Sequence, residues 1–220
     1  MIQCILFDLD GTLLDTSHDF YYALNQTCAK FNVPNVDYQQ LRPIISDGGQ
    51  AMVSLAFPET SSSELAERKA FFLANYADNI AKHTQLFTGL ESGMQAIADK
   101  GIAWGIVTNK PEWLTQRLMQ QIVFPSEPCA VISGDSLAES KPHPAPLLLA
   151  AKNCGVKPEN CLFLGDHSRD ILAGKNANMQ TGVALFGFIP TTDKPQDWQA
   201  DYNFTTPESI SKFLKDLNKK

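Results

Sequence analysis

The sequence predicts an α/β fold in which a parallel β-sheet is flanked by helices and carries a helical insertion after its first strand. Three apolar runs are each followed at once by polar residues: 5–7 before Asp8, 103–107 before Thr108, and 161–164 before Gly165 and Asp166. Strands that are apolar along their whole length are typical of parallel sheets covered on both faces. From residue 87 onward strand and helix patterns alternate, which indicates right-handed crossovers with helices on both faces of the sheet.

The helical insertion follows the first strand directly. From Phe20 to Phe31 apolar residues recur at three- and four-residue steps, as they do on one face of a helix. A helix-rich stretch without an alternating strand pattern continues to about residue 85. We therefore predict a helical domain at 15–85 and an α/β core formed by 1–14 and 86–220.

The remainder of the core is predicted as alternating strands and helices. Glycines that follow apolar periodic runs indicate helix ends, as at Gly101 and Gly155. The predicted helices are 94–100, 113–122, 146–154, 171–178 and 207–217, and the predicted strands are 103–107, 130–133, 161–164 and 181–185. The carboxyl ends of these parallel strands should share one edge of the sheet, beneath the helical domain.

Composition excludes several classes of partner. Hydrophobic residues make up 44% of the 220 residues and charged residues 19%, as in ordinary globular proteins. The formal net charge of −6 disfavours binding to nucleic acid and to anionic membranes. No apolar run approaches the roughly 20 residues of a membrane span, and no basic region precedes an apolar one at the N-terminus. We expect a cytoplasmic protein, either a monomer or a homodimer.

The five cysteines form no CxxC pair, and their odd number fits no complete disulfide framework. We predict that Cys4, Cys28, Cys129, Cys154 and Cys161 are small buried apolar residues without a thiol function.

Two acidic residues at the end of the first strand suggest a metal site. Asp8 and Asp10 are two residues apart, so in an extended backbone their side chains share one face. Two carboxylates this close repel each other unless a cation or a proton lies between them. A hard cation such as Mg²⁺ takes oxygen ligands and leaves room for a phosphate. The alternative is a solvated Asp-Gly turn that caps the next element.

Four stretches together resemble the motifs of the haloacid dehalogenase superfamily of phosphohydrolases, in that family's order. They are Asp8-Leu9-Asp10-Gly11-Thr12, Val107-Thr108-Asn109-Lys110, Lys141-Pro142, and Gly165-Asp166 with Asp170. The resemblance implies a Rossmann-like parallel sheet core and a helical cap that closes over a small phosphorylated metabolite. It also implies Mg²⁺ as cofactor.

The resemblance assigns the chemistry to the two acids of the first motif. It makes Asp8 the nucleophile, which forms an aspartyl-phosphate and binds Mg²⁺, and Asp10 the general acid and base, whose backbone carbonyl also reaches the metal. The dehalogenases of the superfamily lack an acid at the position of Asp10, so an oxygen leaving group is expected here.

The other motifs would bind the phosphoryl group and the metal. Thr108 ends an apolar strand, so its hydroxyl and the Asn109 backbone amide can point at phosphoryl oxygens. By resemblance, Lys141 stabilises both the nucleophile and the transferring group. Asp166 is the further carboxylate on Mg²⁺, and Asp170 holds a metal-bound water or orients Lys141. The alternatives are an ordinary Thr-Asn turn, a surface lysine, and favourable charge at a helix N-terminus for Asp170.

The substrate would meet the turn near Gly48 and Gly49. Their backbone amides could bind an anionic group, and Arg42 could pair with a carboxylate. An ordinary turn with a solvated arginine is the alternative. Stretches outside the four motifs resemble the phosphoglycolate phosphatase group, and especially its N-acetylmuramic acid 6-phosphate phosphatase branch: 51–53, 107–111, 186–188 and 198–201. A phosphomutase like β-phosphoglucomutase and a non-catalytic phosphate-binding module remain alternatives.

Overall fold

The structure is a computed structural model that describes residues 1–217, so residues 218–220 of the predicted core lie outside the described residues. The strands are β1 (Cys4–Phe7), β2 (Leu14–Asp15), β3 (Gln85–Leu86), β4 (Ala103–Val107), β5 (Ala130–Ile132), β6 (Cys161–Gly165), β7 (Gln180–Ala184) and β8 (Tyr202–Phe204). The helices are α1 (Ser17–Lys30), α2 (Tyr38–Leu41), α3 (Gly49–Ala56), α4 (Ser62–Asp78), α5 (Glu91–Asp99), α6 (Glu112–Met119), α7 (Ala145–Asn153), α8 (Ser168–Asn176) and α9 (Pro207–Asp216). Short 3-10 turns cover Arg42–Asp47, Pro158–Asn160 and Pro195–Trp198.

A parallel six-stranded sheet forms the centre of the molecule, in the order β5-β4-β1-β6-β7-β8. The first strand lies inside it, with Phe7 paired to Ile106 of β4 and to Leu164 of β6. The strand order reverses direction around β1, and open α/β sheets bind their ligands beside the carboxyl ends of strands at such a point. The residues after β1, β4 and β6 are thereby brought together.

The two faces of the sheet pack against different helices. Ile5 and Phe7 belong to one apolar cluster with α5, α6 and α9, whereas Cys4 and Leu6 belong to another with α7 and α8. This division follows from the two-residue period of a strand, and each buried large apolar side chain contributes about 1.5–3 kcal/mol. The uniformly apolar sequence of β1 is explained by cover on both faces.

The helical insertion enters and leaves through a two-stranded antiparallel ribbon. Its two strands pair Leu14 with Leu86 and Asp15 with Gln85. Between them, α1 packs along α4, where the Phe20 and Tyr76 rings stack with centroids 4.1 Å apart. We call residues 15–85 the helical segment.

Capping fixes where the longest helix of the helical segment begins. The Ser61 side chain accepts a hydrogen bond from the Glu64 backbone, and the Glu64 side chain accepts one from the Ser61 backbone. This capping box satisfies backbone donors that the first turn of α4 leaves without helical partners.

The predicted α/β fold is confirmed, and the predicted strands and helices of the core agree with the structure to within a few residues. Two features were missed. The ribbon strands span two residues each, too few for any periodicity, and β8 is a three-residue edge strand with Asn203 at its centre. None of the helices within residues 1–217 has the length and apolarity needed to cross a bilayer.

The cysteine prediction is only partly correct. Cys4, Cys28 and Cys161 are buried free thiols, as expected. Cys129 is exposed, however, Cys154 is half-buried, and the two form a disulfide with their Cα atoms 5.1 Å apart. Sequence spacing could not reveal this pair, because 25 positions separate the two cysteines and the fold alone brings them together.

Candidate active site

Lys141 joins two carboxylates at the carboxyl edge of the sheet. Its Nζ donates to Asp8 Oδ1 at 2.7 Å, pairs with Asp170 Oδ1 at 2.8 Å and donates to the Val107 carbonyl at 2.8 Å. Asp8 follows β1, Val107 ends β4 and Asp170 lies in the first turn of α8. All three charged side chains are buried, so this ion-pair network is largely protected from solvent screening.

The network sets the charges of its members. Burial raises the pKa of Asp8 above its ordinary value, although Lys141 opposes the shift. Burial would also raise the pKa of Asp170, but Lys141 and Arg169 outweigh it, so that pKa is lowered. The pKa of Lys141 is raised because its carboxylate partners outweigh the effect of burial. At neutral pH the lysine is therefore cationic and Asp170 anionic.

Asp166, at the end of β6, is fully buried and only half satisfied. Its Oδ2 accepts from the Phe188 N–H at 2.7 Å and from the Ser46 hydroxyl at 2.9 Å, while its Oδ1 has no hydrogen-bond partner among the described residues. Burial, and after it the nearby Asp8 and Asp170, hold the pKa of Asp166 well above its ordinary value. Gly11 permits this close approach, because a Cβ at its position would overlap Asp166 Oδ2.

The acidic cluster suits a hard divalent cation. Carboxylate oxygens of Asp8, Asp166 and Asp170 all lie within 4.8 Å of one another. The buried Oδ1 of Asp166 has no hydrogen-bond partner among the described residues, and Mg²⁺ prefers such oxygen ligands. Asp170 is already paired with Lys141, so Asp8 and Asp166 are the carboxylates that fit the ion. The predicted carboxylate of Asp10 is not part of this cluster.

Asp10 is instead held by Lys110. Lys110 Nζ lies 3.0 Å from Asp10 Oδ1 and 3.2 Å from Oδ2, and it also donates to the Tyr76 hydroxyl at 3.0 Å. Burial lowers the pKa of Lys110, and Asp10 partly offsets that effect. Because Tyr76 lies on α4, Lys110 connects the helical segment to Asp10, the predicted general acid and base.

Thr108 and Asn109 follow β4 and have different roles in the structure. The Thr108 hydroxyl accepts from the Lys110 N–H at 3.1 Å, which leaves its own hydrogen free to donate into the cavity. The Asn109 amide group bridges to the main chain of Lys141, donating to its carbonyl at 2.9 Å and accepting from its N–H at 3.1 Å. The Asn109 side chain therefore positions the catalytic lysine candidate, and only its backbone is left to face a ligand.

A cavity of about 210 Å³ lies between the core and the helical segment. The core contributes Asp8, Asp10, Thr108, Asn109, Lys110 and Arg169 to its lining, and the helical segment contributes Ser46, Asp47, Gly48, Gly49 and Met52. The structure thus brings the predicted glycines to the same cavity as the predicted nucleophile.

Arg42 does not line this cavity, contrary to its predicted role. Its guanidinium donates to the main-chain carbonyls of Phe186 at 2.8 Å and Gly187 at 3.0 Å, and it lies 5.1 Å from the centroid of the Phe188 ring. These contacts satisfy the cation and tie the helical segment to the core. We therefore correct the assignment: Arg42 is a bridging residue in this structure.

Arg169 lies where Arg42 was expected. It donates to the Ser46 carbonyl, and its Nε is buried without a hydrogen-bond partner among the described residues. Neither Arg169 nor Lys110 received a role from the sequence, although both lie within the recognised motifs. Their positive charge and their place within the motifs could have marked them as candidates for the site. Their burial and the direction of their side chains depend on tertiary structure.

A family model described as haloacid dehalogenase-like hydrolase matches residues 5–184, which include the whole acidic cluster and Lys141. The chain belongs to this family. It is 39% identical over 208 residues to the phosphoglycolate phosphatase of Xanthomonas campestris pv. campestris (strain 8004), covering 94% of each chain. It is 35% identical over 210 residues to the N-acetylmuramic acid 6-phosphate phosphatase of Pseudomonas aeruginosa, covering 95% of this chain and 93% of the other.

Among solved structures, a predicted phosphoglycolate phosphatase from Haemophilus somnus 129PT superposes with a TM-score of 0.85 at 26% identity, covering 96% of this chain and 97% of that one. The haloacid dehalogenase-like hydrolase is thus a phosphoric monoester hydrolase of the phosphoglycolate phosphatase-like group. The alternative of a non-catalytic phosphate-binding module is rejected.

Proposed function

We propose that this hydrolase is a Mg²⁺-dependent phosphatase that transfers the phosphoryl group of a small monoester to Asp8 and then to water. The observation that carries the proposal is the contact of Lys141 with both Asp8 and Asp170, beside the unpaired oxygen of Asp166. A nucleophilic carboxylate needs a fixed orientation and nearby positive charge, and this arrangement supplies both.

Each residue around Asp8 has a defined task in this proposal. Asp8 Oδ2 is free of the lysine and attacks phosphorus, while Asp10 protonates the leaving oxygen and then takes a proton from the attacking water. The Thr108 hydroxyl and the Lys141 ammonium stabilise charge on the phosphoryl oxygens. Mg²⁺ held by Asp8 and Asp166, with the main-chain carbonyl of Asp10, would neutralise charge between the carboxylate and the phosphoryl group.

The helical segment would act as a cap, with the core at 1–14 and 86–220. Hydrogen bonds from Ser46 to Asp166 and from Arg169 to the Ser46 carbonyl support this assignment, because they join the helical segment to the metal-ligand candidates. Closure over the substrate would exclude water from the phosphoryl group.

We infer a substrate that is a small phosphorylated acid, with 2-phosphoglycolate as the leading candidate. The cavity of about 210 Å³ is smaller than the roughly 300–1,000 Å³ of typical ligand pockets, which favours a two-carbon acid over a phosphorylated amino sugar. The unpaired Nε of Arg169 and the backbone at Gly48 and Gly49 would bind its carboxylate. N-acetylmuramic acid 6-phosphate also carries a carboxylate and is the second candidate.

Inorganic phosphate release should be measured with 2-phosphoglycolate, N-acetylmuramic acid 6-phosphate and glucose 6-phosphate, each with Mg²⁺ and with EDTA. We expect the highest kcat/KM for 2-phosphoglycolate and no turnover in EDTA. Residual turnover in EDTA would contradict the metal assignment. Conversion of a monophosphate to its isomer without phosphate release would instead identify a phosphomutase.

The carboxylate site is tested by Arg169→Met, with Arg117→Met as a matched control on the exposed face of α6. Hydrogen bonds to charged groups are worth about 1.5–3 kcal/mol, so kcat/KM for 2-phosphoglycolate should fall about 10- to 100-fold. The control should leave it unchanged. An equal loss of kcat/KM with a phosphomonoester that lacks a carboxylate would show that Arg169 does not bind the substrate carboxylate.

A further inference from the structure

Four cysteines lie together at the amino edge of the sheet, opposite the candidate active site. Cys4 begins β1 and Cys161 begins β6, where the two residues are paired in register, and the Cys161 thiol donates to the Lys157 carbonyl at 3.4 Å. Cys129 precedes β5 and Cys154 follows α7. The sulfurs of Cys129 and Cys154 are bonded to each other, and both lie within 4.8 Å of the Cys4 sulfur.

The disulfide closes the segment of chain that carries Lys141. Between Cys129 and Cys154 the chain runs through β5, the loop with Lys141 and α7. Lys141 lies near the middle of this covalent loop, and its ammonium is the partner of Asp8 and Asp170. The disulfide joins the two ends of segment 129–154, so it limits how far the Lys141 loop between β5 and α7 can move.

The disulfide includes one solvent-exposed residue, and a hydrogen-bond acceptor is in place for one of the two thiols that reduction would create. Cys129 is exposed, whereas Cys4 and Cys161 are fully buried. The Cys129 Sγ lies 3.0 Å from the Trp104 carbonyl oxygen, so a hydrogen-bond acceptor is already in place for the thiol that reduction creates. Exposed disulfides exchange with thiols more readily than buried ones, so this bond is suited to reversible exchange.

We propose that Cys129 and Cys154 form a reversible thiol–disulfide site that exchanges with small-molecule thiols and controls how firmly the Lys141 loop is held. A thiolate from solvent attacks Cys129 Sγ, the bond to Cys154 breaks, and the Cys154 sulfur leaves with the electron pair and takes a proton. A further thiolate attacks the outer sulfur of the mixed disulfide and releases Cys129. Two small thiols are thereby oxidised to one disulfide while the protein disulfide gains two electrons.

Cys4 is the third sulfur of the site. Its sulfur lies within 4.8 Å of both bonded sulfurs, so a buried free thiol lies beside the exchanging pair. Cys129→Ser and Cys154→Ser should each leave the remaining four cysteines without a disulfide between them.

The test equilibrates the full chain in glutathione and glutathione disulfide at several ratios, followed by alkylation in denaturant and peptide mapping by mass spectrometry. Wild type should change from five alkylated cysteines to three, with a mapped bond between Cys129 and Cys154. Cys28 lies in α1, away from the cluster, so Cys28→Ala is the control and should retain this exchange. Five free thiols at every ratio would overturn the proposal, as would stoichiometric zinc bound to the reduced protein.

The effect on the Lys141 loop has two readouts. Loop-closure entropy predicts that the reduced protein melts about 5–10 °C below the oxidised protein, and that this difference is absent in Cys129→Ser/Cys4→Ser. Equal melting temperatures would refute the structural role. The second readout rests on the proposed function: reduction should lower kcat by about two- to tenfold, less than the hundredfold that a 1 Å misplacement can cost. Thiol mapping and melting need no substrate, so they test the site even if the proposed reaction is wrong.

Discussion

Replacement of Lys141 by methionine tests the buried charge network without reference to catalysis. The lysine side chain is 1% exposed, and its ammonium lies 2.7 Å from Asp8 and 2.8 Å from Asp170. Methionine fills similar space but removes the charge, which leaves two buried carboxylates without their ion-pair partner. Breaking a buried ion pair by removing one partner costs about 3–5 kcal/mol, so the free energy of unfolding at pH 7 should fall by that amount.

The assay is urea unfolding in EDTA, since a bound cation would replace part of the missing charge. Asp170 has a lowered pKa in the folded protein, so its contribution is complete above its ordinary value of 3.8 and is lost as the pH falls through the folded value. The difference between wild type and Lys141→Met should therefore narrow below about pH 4.

Two further variants complete this test. Adding Asp170→Asn to Lys141→Met should recover part of the lost stability, because it removes one of the uncompensated charges. Lys152→Met, on an exposed position of α7, should have little effect. The reasoning would be refuted if Lys141→Met lowered the free energy of unfolding by less than about 1 kcal/mol, or by the same amount at pH 3 and pH 7.

Three other outcomes are expected. Asp8→Asn should release phosphate at less than about a hundredth of the wild-type rate, equivalent to roughly 3 kcal/mol of barrier, in a Mg²⁺-dependent phosphate-release assay. Asp166 has a raised pKa, so in EDTA it destabilises the folded chain increasingly as the pH rises above its ordinary 3.8. Asp166→Asn should therefore have a higher melting temperature than wild type in EDTA at pH 8. Mg²⁺ should not stabilise the variant, whereas Mg²⁺ at 100 times its dissociation constant should raise the free energy of unfolding of wild type by about 2.7 kcal/mol. Gly134→Ala should lower the free energy of unfolding in urea by about 1–3 kcal/mol, because the added Cβ would overlap the Asn109 carbonyl oxygen. It should also lower kcat, and an unchanged kcat would contradict a role for the backbone at Asn109 in the reaction.

Sequence patterns predicted those features that depend on local order and on motif spacing. The apolar run of β1 and the glycine ends of the core helices are local properties, so the α/β fold followed from them. The meeting of Asp8, Lys141 and Asp166 followed from the resemblance together with the rule that parallel strand ends share one edge.

The errors and the contacts that were not foreseen concern side-chain direction and long-range proximity. Arg42 and Arg169 are both arginines beside a predicted turn or motif, and nothing in their spacing tells which one points into the cavity. The Asn109 side chain binds Lys141 across 32 positions of sequence, and Cys129 meets Cys154 across 25. Such contacts are decided by packing of distant segments, which a one-dimensional pattern does not encode.

The β2–β3 ribbon makes the helical segment a replaceable module. Its entry at Leu14 and its exit at Leu86 are neighbours on paired strands, whose spacing is about 4.8 Å. An insert of any length or fold can be joined to the β2–β3 ribbon, provided that its two ends lie this close together. Substrate choice could therefore diversify through exchange of the insert, while the charges around Asp8 stay in place.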